Sequence, residues 1–258
     1  MKKRNRFGIF TLVLILSLCG CTQDKIPISS SSDVQKEQDT LPEAEITPEE
    51  EPFLYGYQNL NEEEKTRYRQ ILAGIENYED SVTVEVCSEE EINKVSNLVF
   101  VDHPEIFWLE QQNYSFNQKE NSDVDLLELN LVYNMGKDEI EDTKQQIEAK
   151  AEEWSQELSN CENEYDKIKY VYEFLGKNVL YDSESENNQN IQSVFLNQST
   201  VCMGFAKATQ YLLVRNGIFC TLVTGKVIPE NMEHAWNLVR IGENYYYVDT
   251  TWSSSGFV

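Results

Sequence analysis

Three residues of this 258-residue chain could together perform nucleophilic chemistry. Cys202 stands in Val-Cys-Met-Gly-Phe-Ala, His234 in His-Ala-Trp-Asn, and Asp249 in Tyr-Tyr-Val-Asp-Thr-Thr-Trp. A thiol becomes a strong nucleophile when a neighbouring histidine removes its proton, and a carboxylate can fix the tautomer and orientation of that histidine. The sequence therefore predicts a nucleophile, its base and the group that orients the base.

The segment around Cys202 is typical of the start of a helix. Apolar residues recur after it at helical spacing until Asn216-Gly217, and Ser199 and Thr200 are suitable caps. In the first turn of a helix, unpaired amide groups and positive potential favour a thiolate and can stabilise an oxyanion. Gly204 is expected to keep the approach to the sulfur open. A cysteine in this position is more often a core residue when taken alone, so its partners must decide.

The spacing of His234 and Asp249 can be tested against strand geometry. The sequence at 241–244 suits a two-residue type II′ turn between strands 234–241 and 244–251. In that register Asp249 is the diagonal neighbour of His234 on one face of the sheet, with Cβ atoms roughly 7 to 8 Å apart. A slip of one residue would place them on opposite faces, so the observed spacing supports the pairing.

Together the three motifs resemble the transglutaminase-like superfamily, whose core is related to papain-like cysteine peptidases. The similarity runs from about Tyr165 to Trp252 and includes the Tyr181-Asp182 step. The resemblance implies an α+β fold in which a helix bearing the cysteine packs on an antiparallel sheet bearing the histidine and aspartate. It also implies that the cysteine forms a thioester with a glutamine or peptide carbonyl, which an amine or water then cleaves. In this family a further strand commonly follows the aspartate segment, so a chain ending at Val258 is expected to be truncated or minimal.

Several features of a catalytic site are left open by the motifs. They identify no side-chain donor for an oxyanion hole, and choosing Gln192 or Gln198 would be a guess. The cysteines show no CxxC spacing and no segment resembles an EF-hand, so neither a metal nor another cofactor is expected. The other histidine, His103, precedes a proline in Asp-His-Pro-Glu-Ile-Phe-Trp. A structural role is favoured for it, in a segment that packs Phe107 and Trp108 inward.

The first residues are typical of an export signal. A basic start is followed by an uncharged run from Phe7 to Cys19, which is too short for a resident membrane helix. The sequence Leu-Cys-Gly-Cys at 18–21 resembles the lipobox of bacterial lipoproteins. We therefore expect residues 1–20 to be a signal peptide and Cys21 to carry a lipid, with an ordinary secretory leader as the alternative.

The remainder divides into three parts. Residues 21–52 are acidic and poor in aromatic residues, which predicts a disordered tether. Residues 53–136 are predicted to form a small α+β region with helices at 61–76 and 89–100 and strands at 81–87 and 124–133. Residues 137–258 are predicted to be the transglutaminase-like catalytic domain, with helices at 137–160 and 164–178 before Cys202.

The net charge of −24 repels phosphate backbones and argues against nucleic-acid binding. The expected partners are the membrane, through the lipid, and a protein or peptide substrate at the cell envelope, outside the bacterial cytoplasmic membrane. The alternative function is a surface binding or adhesion module that keeps the fold without turnover. A solute-binding lipoprotein would need a two-lobed α/β pattern that the sequence lacks. The oligomeric state does not follow from the sequence.

Overall fold

The helices and strands follow the apolar periodicity of the sequence closely. The computed structural model describes residues 41–109, 115–119, 126–229 and 231–255, all within one compact unit. The α-helices are α1 (Tyr55–Gln58), α2 (Glu62–Glu76), α3 (Glu89–Asp102), α4 (Lys137–Ser155), α5 (Glu164–Asn178) and α6 (Cys202–Arg215). The strands are β1 (Ser81–Glu85), β2 (Ser115–Lys119), β3 (Leu126–Asn130), β4 (Leu180–Tyr181), β5 (Ser199–Thr200), β6 (Cys220–Val227), β7 (Met232–Ile241) and β8 (Asn244–Val248).

The N-terminal region packs α2 and α3 beside a three-stranded antiparallel sheet with the order β1-β3-β2. Helix α2 starts with a capping box, in which Asn61 accepts from the Glu64 amide and Glu64 accepts from the Asn61 amide. Its apolar stripe is fully buried, as the periodicity predicts. Strand β2 was not predicted. The prediction of an α+β fold is confirmed.

Asp102, at the end of α3, forms hydrogen bonds with both α1 and α2. Its carboxylate accepts hydrogen bonds from the backbone amides of Gly56 and Tyr57, at 2.7 and 2.8 Å, and from the Tyr68 hydroxyl at 3.0 Å. Burial raises the pKa of Asp102, and the hydrogen bonds that it accepts oppose that shift. These long-range bonds explain why α3 continues two residues beyond its predicted end.

The segment after α3 packs inward as predicted, since Phe107 and Trp108 are each only 2% exposed. His103 lies in this N-terminal region, where its Nδ1 is 2.8 Å from Glu105 Oε1 and its ring is 6.0 Å from that of Tyr68. His103 therefore contacts other residues of the N-terminal region.

The folded chain begins earlier than the sequence predicted. The Ala44 amide donates to the Arg69 carbonyl at 2.9 Å, and Arg69 forms a 2.7 Å ion pair with Glu43. Residues 41–52 therefore pack on α2, and that part of the predicted tether is wrong. The rest of the tether, the signal peptide and Cys21 lie outside the described residues.

The C-terminal region places α6 against α5 and a three-stranded antiparallel sheet with the order β6-β7-β8. Helix α4 buries the predicted apolar stripe of Ile140, Ile147, Ala151 and Trp154, and it changes to a 3-10 turn over Gln156–Asn160. Among the described residues, every helix is too short or too polar to cross a membrane.

Candidate active site

Cys202 is the first residue of α6, and it is partly exposed. The helix is not capped as predicted, because the N-cap residue is Val201 and no side chain accepts a hydrogen bond there. Ser199 and Thr200 instead form β5, which pairs in parallel with β4. Helix geometry leaves the first amides of α6 without intrahelical partners, so these groups remain available to a developing oxyanion.

The Thr200 side chain binds the preceding loop at 188–193 and does not cap α6. Its hydroxyl donates to the Asn188 carbonyl at 2.9 Å and accepts from the Ser193 hydroxyl at 2.7 Å. A Cβ at Gly204 would overlap the Thr200 hydroxyl and press on the Asn188 carbonyl. Gly204 therefore allows this loop to pack closely on the first turn of α6, which differs from the predicted role of opening a path to the sulfur.

The structure joins His234 to Asp249 directly. His234 Nε2 lies 2.7 Å from Asp249 Oδ2, and the other carboxylate oxygen accepts from the Thr251 amide at 3.2 Å. The residue His234 is only 7% exposed. When Nε2 carries the proton that Asp249 accepts, Nδ1 is the nitrogen left free to act as a base.

The predicted hairpin register is confirmed, since Ile241 pairs with Asn244. Gly242 has a φ of +58°, as the first central residue of a type II′ turn requires. Strand β8 is shorter than predicted, because the ladder ends at Val248 and the chain turns into a 3-10 segment over Thr250–Ser255. Asp249 therefore reaches His234 from the end of the strand.

Two sets of contacts fix the direction of α6. Lys167 donates to the Asn216 carbonyl at 3.1 Å, and β4, after α5, pairs with β5, before α6. Helices α5 and α6 are therefore antiparallel. Glu164 accepts from the Gly242 amide at 2.8 Å, whereas Gly176 packs against Ser253, so α5 and β8 run in the same direction.

It follows that α6 runs in the direction of β7, which is antiparallel to β8. Asn237 joins the two elements, because its side-chain amide donates to the Ala206 carbonyl at 3.0 Å. Cys202 lies one helical turn, roughly 6 Å, before Ala206, and His234 lies roughly 10 Å before Asn237 along its strand. The topology thus brings the thiol to the same end of the domain as the His234–Asp249 pair.

A buried hydrogen bond fixes the segment that carries Asp249. The hydroxyls of Thr209 on α6 and Thr250 are 2.8 Å apart, and both residues are almost fully buried. The helix that presents Cys202 and the residue next to Asp249 are therefore held by a direct contact, which limits their relative movement.

Aromatic rings surround His234. Its ring lies 5.8 Å from that of Trp236, at an interplanar angle of 27°, and 6.1 Å from that of Trp252. Trp252 remains 51% exposed. The two indoles therefore restrict the orientation of the imidazole, and Trp252 also offers an apolar surface to a molecule that approaches it.

Tyr181 is a site residue that the motif analysis did not assign. It pairs with Thr200 in the β4–β5 ladder, and the next amide, of Asp182, donates to the Thr200 carbonyl at 2.9 Å. Burial, with a smaller contribution from Cys202, raises the pKa of Tyr181, and this residue is 58% exposed. The ladder thus places an accessible tyrosine opposite the residue two positions before Cys202, and the Tyr181-Asp182 step was the sequence signal that could have identified it.

The other described cysteines differ from Cys202 in their surroundings. The four described cysteines, Cys202 included, are free thiols. Burial raises the pKa of Cys87, Cys161 and Cys220. A raised pKa lowers the thiolate fraction and with it the reactivity of these three side chains. Across the described ranges, His, Cys, Asp and Glu side chains form no group of three or more arranged to hold a metal ion.

Residues 152–250 match the family model of the transglutaminase-like superfamily. Among curated proteins, the chain is similar to the kyphoscoliosis peptidase of Mus musculus, with 22% identity over 112 residues. That alignment covers 38% of this chain and 17% of the mouse protein.

Two solved structures are also similar. One is described as a TGase, with 17% identity, a TM-score of 0.39 and coverage of 69% of this chain and 51% of the other. The second is a proposed cysteine protease from Cytophaga hutchinsonii, with 17% identity, a TM-score of 0.37 and coverage of 54% and 62%. The chain therefore spans less than two thirds of each of these relatives.

Proposed function

We propose that the protein is a thiol enzyme that transfers or hydrolyses acyl groups, because residues 152–250 match the family model of the transglutaminase-like superfamily. Its acyl donor is a glutamine side chain or a peptide carbonyl. The observation that carries the proposal is the 2.7 Å pairing of His234 with Asp249, at the end of the domain where Cys202 opens α6.

In the first half-reaction the Cys202 sulfur attacks the carbonyl carbon, and its proton passes to His234 Nδ1. The C–N bond then breaks, and the leaving nitrogen takes that proton from His234 and departs as ammonia or an amine. The product of this step is a thioester on Cys202. Asp249 positions the imidazole and stabilises its charged form while it holds the proton.

In the second half-reaction an amine or a water molecule attacks the thioester. His234 removes a proton from the attacking group and returns it to the departing sulfur. An amine gives a new amide, and water gives a carboxylic acid. The balance between the two products depends on which nucleophile the cleft admits.

The proposal is tested by measuring both outcomes on one substrate. A glutamine-containing peptide is incubated with a fluorescent primary amine, and amine incorporation and ammonia release are recorded for the wild type and for Cys202→Ala. Thiol-dependent turnover supports the enzyme. A wild-type protein that shows neither product on a broad peptide set, and whose Cys202 is not alkylated faster than Cys161, would favour the binding module.

We assign to Tyr181 the side-chain hydrogen bond to the developing oxyanion, since Tyr181 pairs with Thr200, two residues before Cys202, and is 58% exposed. Tyr181→Phe removes only this donor, so kcat should fall about 10- to 100-fold while KM changes less than about threefold. Tyr247→Phe, at an exposed tyrosine of β8, is the matched control and should stay near wild type. A wild-type kcat in Tyr181→Phe would show that the Tyr181 hydroxyl does not stabilise the oxyanion.

We further propose that the enzyme is exported and held at the outer face of the cytoplasmic membrane by a lipid on Cys21. Support comes from the basic and apolar leader and its Leu-Cys-Gly-Cys end. In bacterial cells, Cys21→Ala should leave the protein unprocessed or release it from the membrane fraction. Normal processing with unchanged membrane retention in that variant would contradict the lipid anchor.

A further inference from the structure

Gly225 lies inside β6, directly opposite the candidate base. It pairs with His234 across the β6–β7 ladder, and residues paired in this way project from the same face of the sheet. A glycine inside a strand weakens the strand and often marks a place where another group approaches the backbone closely. The group that approaches Gly225 is the indole of Trp236, which lies two residues after His234 and therefore on the same face of β7.

The indole occupies the space that any other side chain at position 225 would need. A Cβ placed on Gly225 would lie 2.6 Å from Trp236 Cη2 and 3.3 Å from Trp236 Cζ3. Carbon atoms in contact are normally roughly 3.5 to 4.0 Å apart, so the indole and a Cβ cannot both keep these positions. The backbone of β6 has little freedom to retreat, because each residue from Cys220 to Val227 is paired with β7.

Two other rings lie against the indole. The Trp236 ring is 5.8 Å from the His234 imidazole, at an interplanar angle of 27°, and 6.3 Å from the Tyr247 ring. Both separations are those of contacting aromatic pairs. Asp249 binds the imidazole at Nε2, and the nearly parallel indole limits rotation of the ring about that hydrogen bond. An indole that is displaced from Gly225 therefore changes the orientation of His234.

We propose that Gly225 is a positioning residue for the candidate base: its missing side chain lets the Trp236 indole lie beside the imidazole, and the indole then holds His234 Nδ1 in one direction. Gly225 acts through Trp236. Its effect on turnover rests on the thiol chemistry proposed above, whereas its effect on the imidazole does not. The two effects are therefore measured separately.

The imidazole is observed directly by ¹⁵N NMR of the full-length chain labelled at histidine, at a pH where the neutral ring predominates. The chain has two histidines, so His103 in the N-terminal region serves as an internal reference. In the wild type, His234 should show one tautomer, with its proton on Nε2. In Gly225→Ala it should show a mixture of both tautomers, because the displaced indole no longer fixes the ring, while the His103 signals stay unchanged.

Turnover is measured in the amine-incorporation assay. Gly225→Ala should lower kcat about 10- to 100-fold and change KM less than about threefold, since a small misplacement of a catalytic group has an effect of this size. Gly136→Ala is the matched control, because a Cβ on Gly136 would meet no described atom within 4 Å beyond its chain neighbours. The control should keep the wild-type kcat and the wild-type His234 spectrum.

Trp236→Phe, added to Gly225→Ala, tests whether the effect passes through the indole. A phenyl ring ends short of the Cη2 position, so the alanine methyl group fits beside it. The double variant should recover at least about fivefold of the lost kcat and most of the single His234 tautomer. A general weakening of β6 would not be relieved by this second change on β7. A circular dichroism melt confirms that each variant is folded.

Two results would overturn the proposal. One is a folded Gly225→Ala protein whose His234 keeps the wild-type tautomer. The other is a change of tautomer that the added Trp236→Phe does not relieve. If Gly225→Ala does not fold, Trp236→Leu removes the ring and keeps the glycine, and a wild-type His234 spectrum in that variant would equally exclude the role. A wild-type protein without turnover would contradict the proposed function alone, because the spectra require no substrate.

Discussion

Replacing Cys202 by alanine is expected to lower both amine incorporation and amide hydrolysis by about 10⁴-fold or more. The thioester requires a sulfur at this position, and no other described thiol can take its place. Cys220 is fully buried, and burial raises the pKa of Cys87, Cys161 and Cys220. The loss should appear in kcat, because alanine removes only the reacting sulfur.

The matched control is Cys161→Ala, which removes a partly exposed thiol outside the candidate site. It should retain wild-type turnover. Limited treatment with iodoacetamide near neutral pH, followed by peptide mass mapping, should modify Cys202 before Cys161, and inactivation should follow modification of Cys202. Faster alkylation of Cys161, or full turnover by Cys202→Ala, would contradict the assignment of the nucleophile.

Replacing Asp249 by alanine is expected to lower kcat by about 10³-fold, with a much smaller change in KM. The carboxylate is the hydrogen-bond partner of His234 Nε2 and also accepts from the Thr251 amide. Without it the imidazole loses both its fixed tautomer and the charge that stabilises its protonated form. Asp249 acts through His234, so the effect belongs to the proton-transfer steps.

Asp249→Asn separates the hydrogen bond that orients His234 from the negative charge of the carboxylate. Asparagine has nearly the same shape and keeps an oxygen that can accept from Nε2, so it should recover at least about tenfold of the activity lost in Asp249→Ala. A pH profile of kcat/KM for the two variants and the wild type measures the change in the ionisation of the base. Equal activity of the asparagine and alanine variants, with both proteins folded, would show that the carboxylate does not position His234.

The candidate site was largely predictable because its main parts are encoded by local sequence. A two-residue turn fixes the register of a hairpin, so the glycine at 242 and the spacing from His234 to Asp249 were sufficient to predict that the two residues meet, although the ladder itself ends at Val248. The position of Cys202 at the start of α6 likewise followed from the apolar period and from the stop at Asn216-Gly217. The match of residues 152–250 to the transglutaminase-like superfamily agrees with the resemblance seen in the motifs.

The incorrect predictions concern features that depend on contacts distant in sequence. Ser199 and Thr200 have the composition of helix caps, but pairing with Leu180 and Tyr181 turns them into a strand. The segment 41–52 is acidic and poor in aromatic residues, and it is nevertheless ordered because Ala44 and Glu43 bind Arg69 of α2. Local propensity cannot report such bonds, because the partner lies about twenty or more residues away.

By itself, the sequence determined which residues could perform the chemistry, the secondary structure that presents them and the pairing of His234 with Asp249. The tertiary structure alone decided that α6 and β7 run in the same direction, which brings Cys202 to the end of the domain occupied by that pair. It also paired Tyr181 with Thr200, two residues before the thiol. The physical reason is that a hairpin register is set by its own turn, whereas the packing of a helix on a sheet is set by side chains from many separate segments.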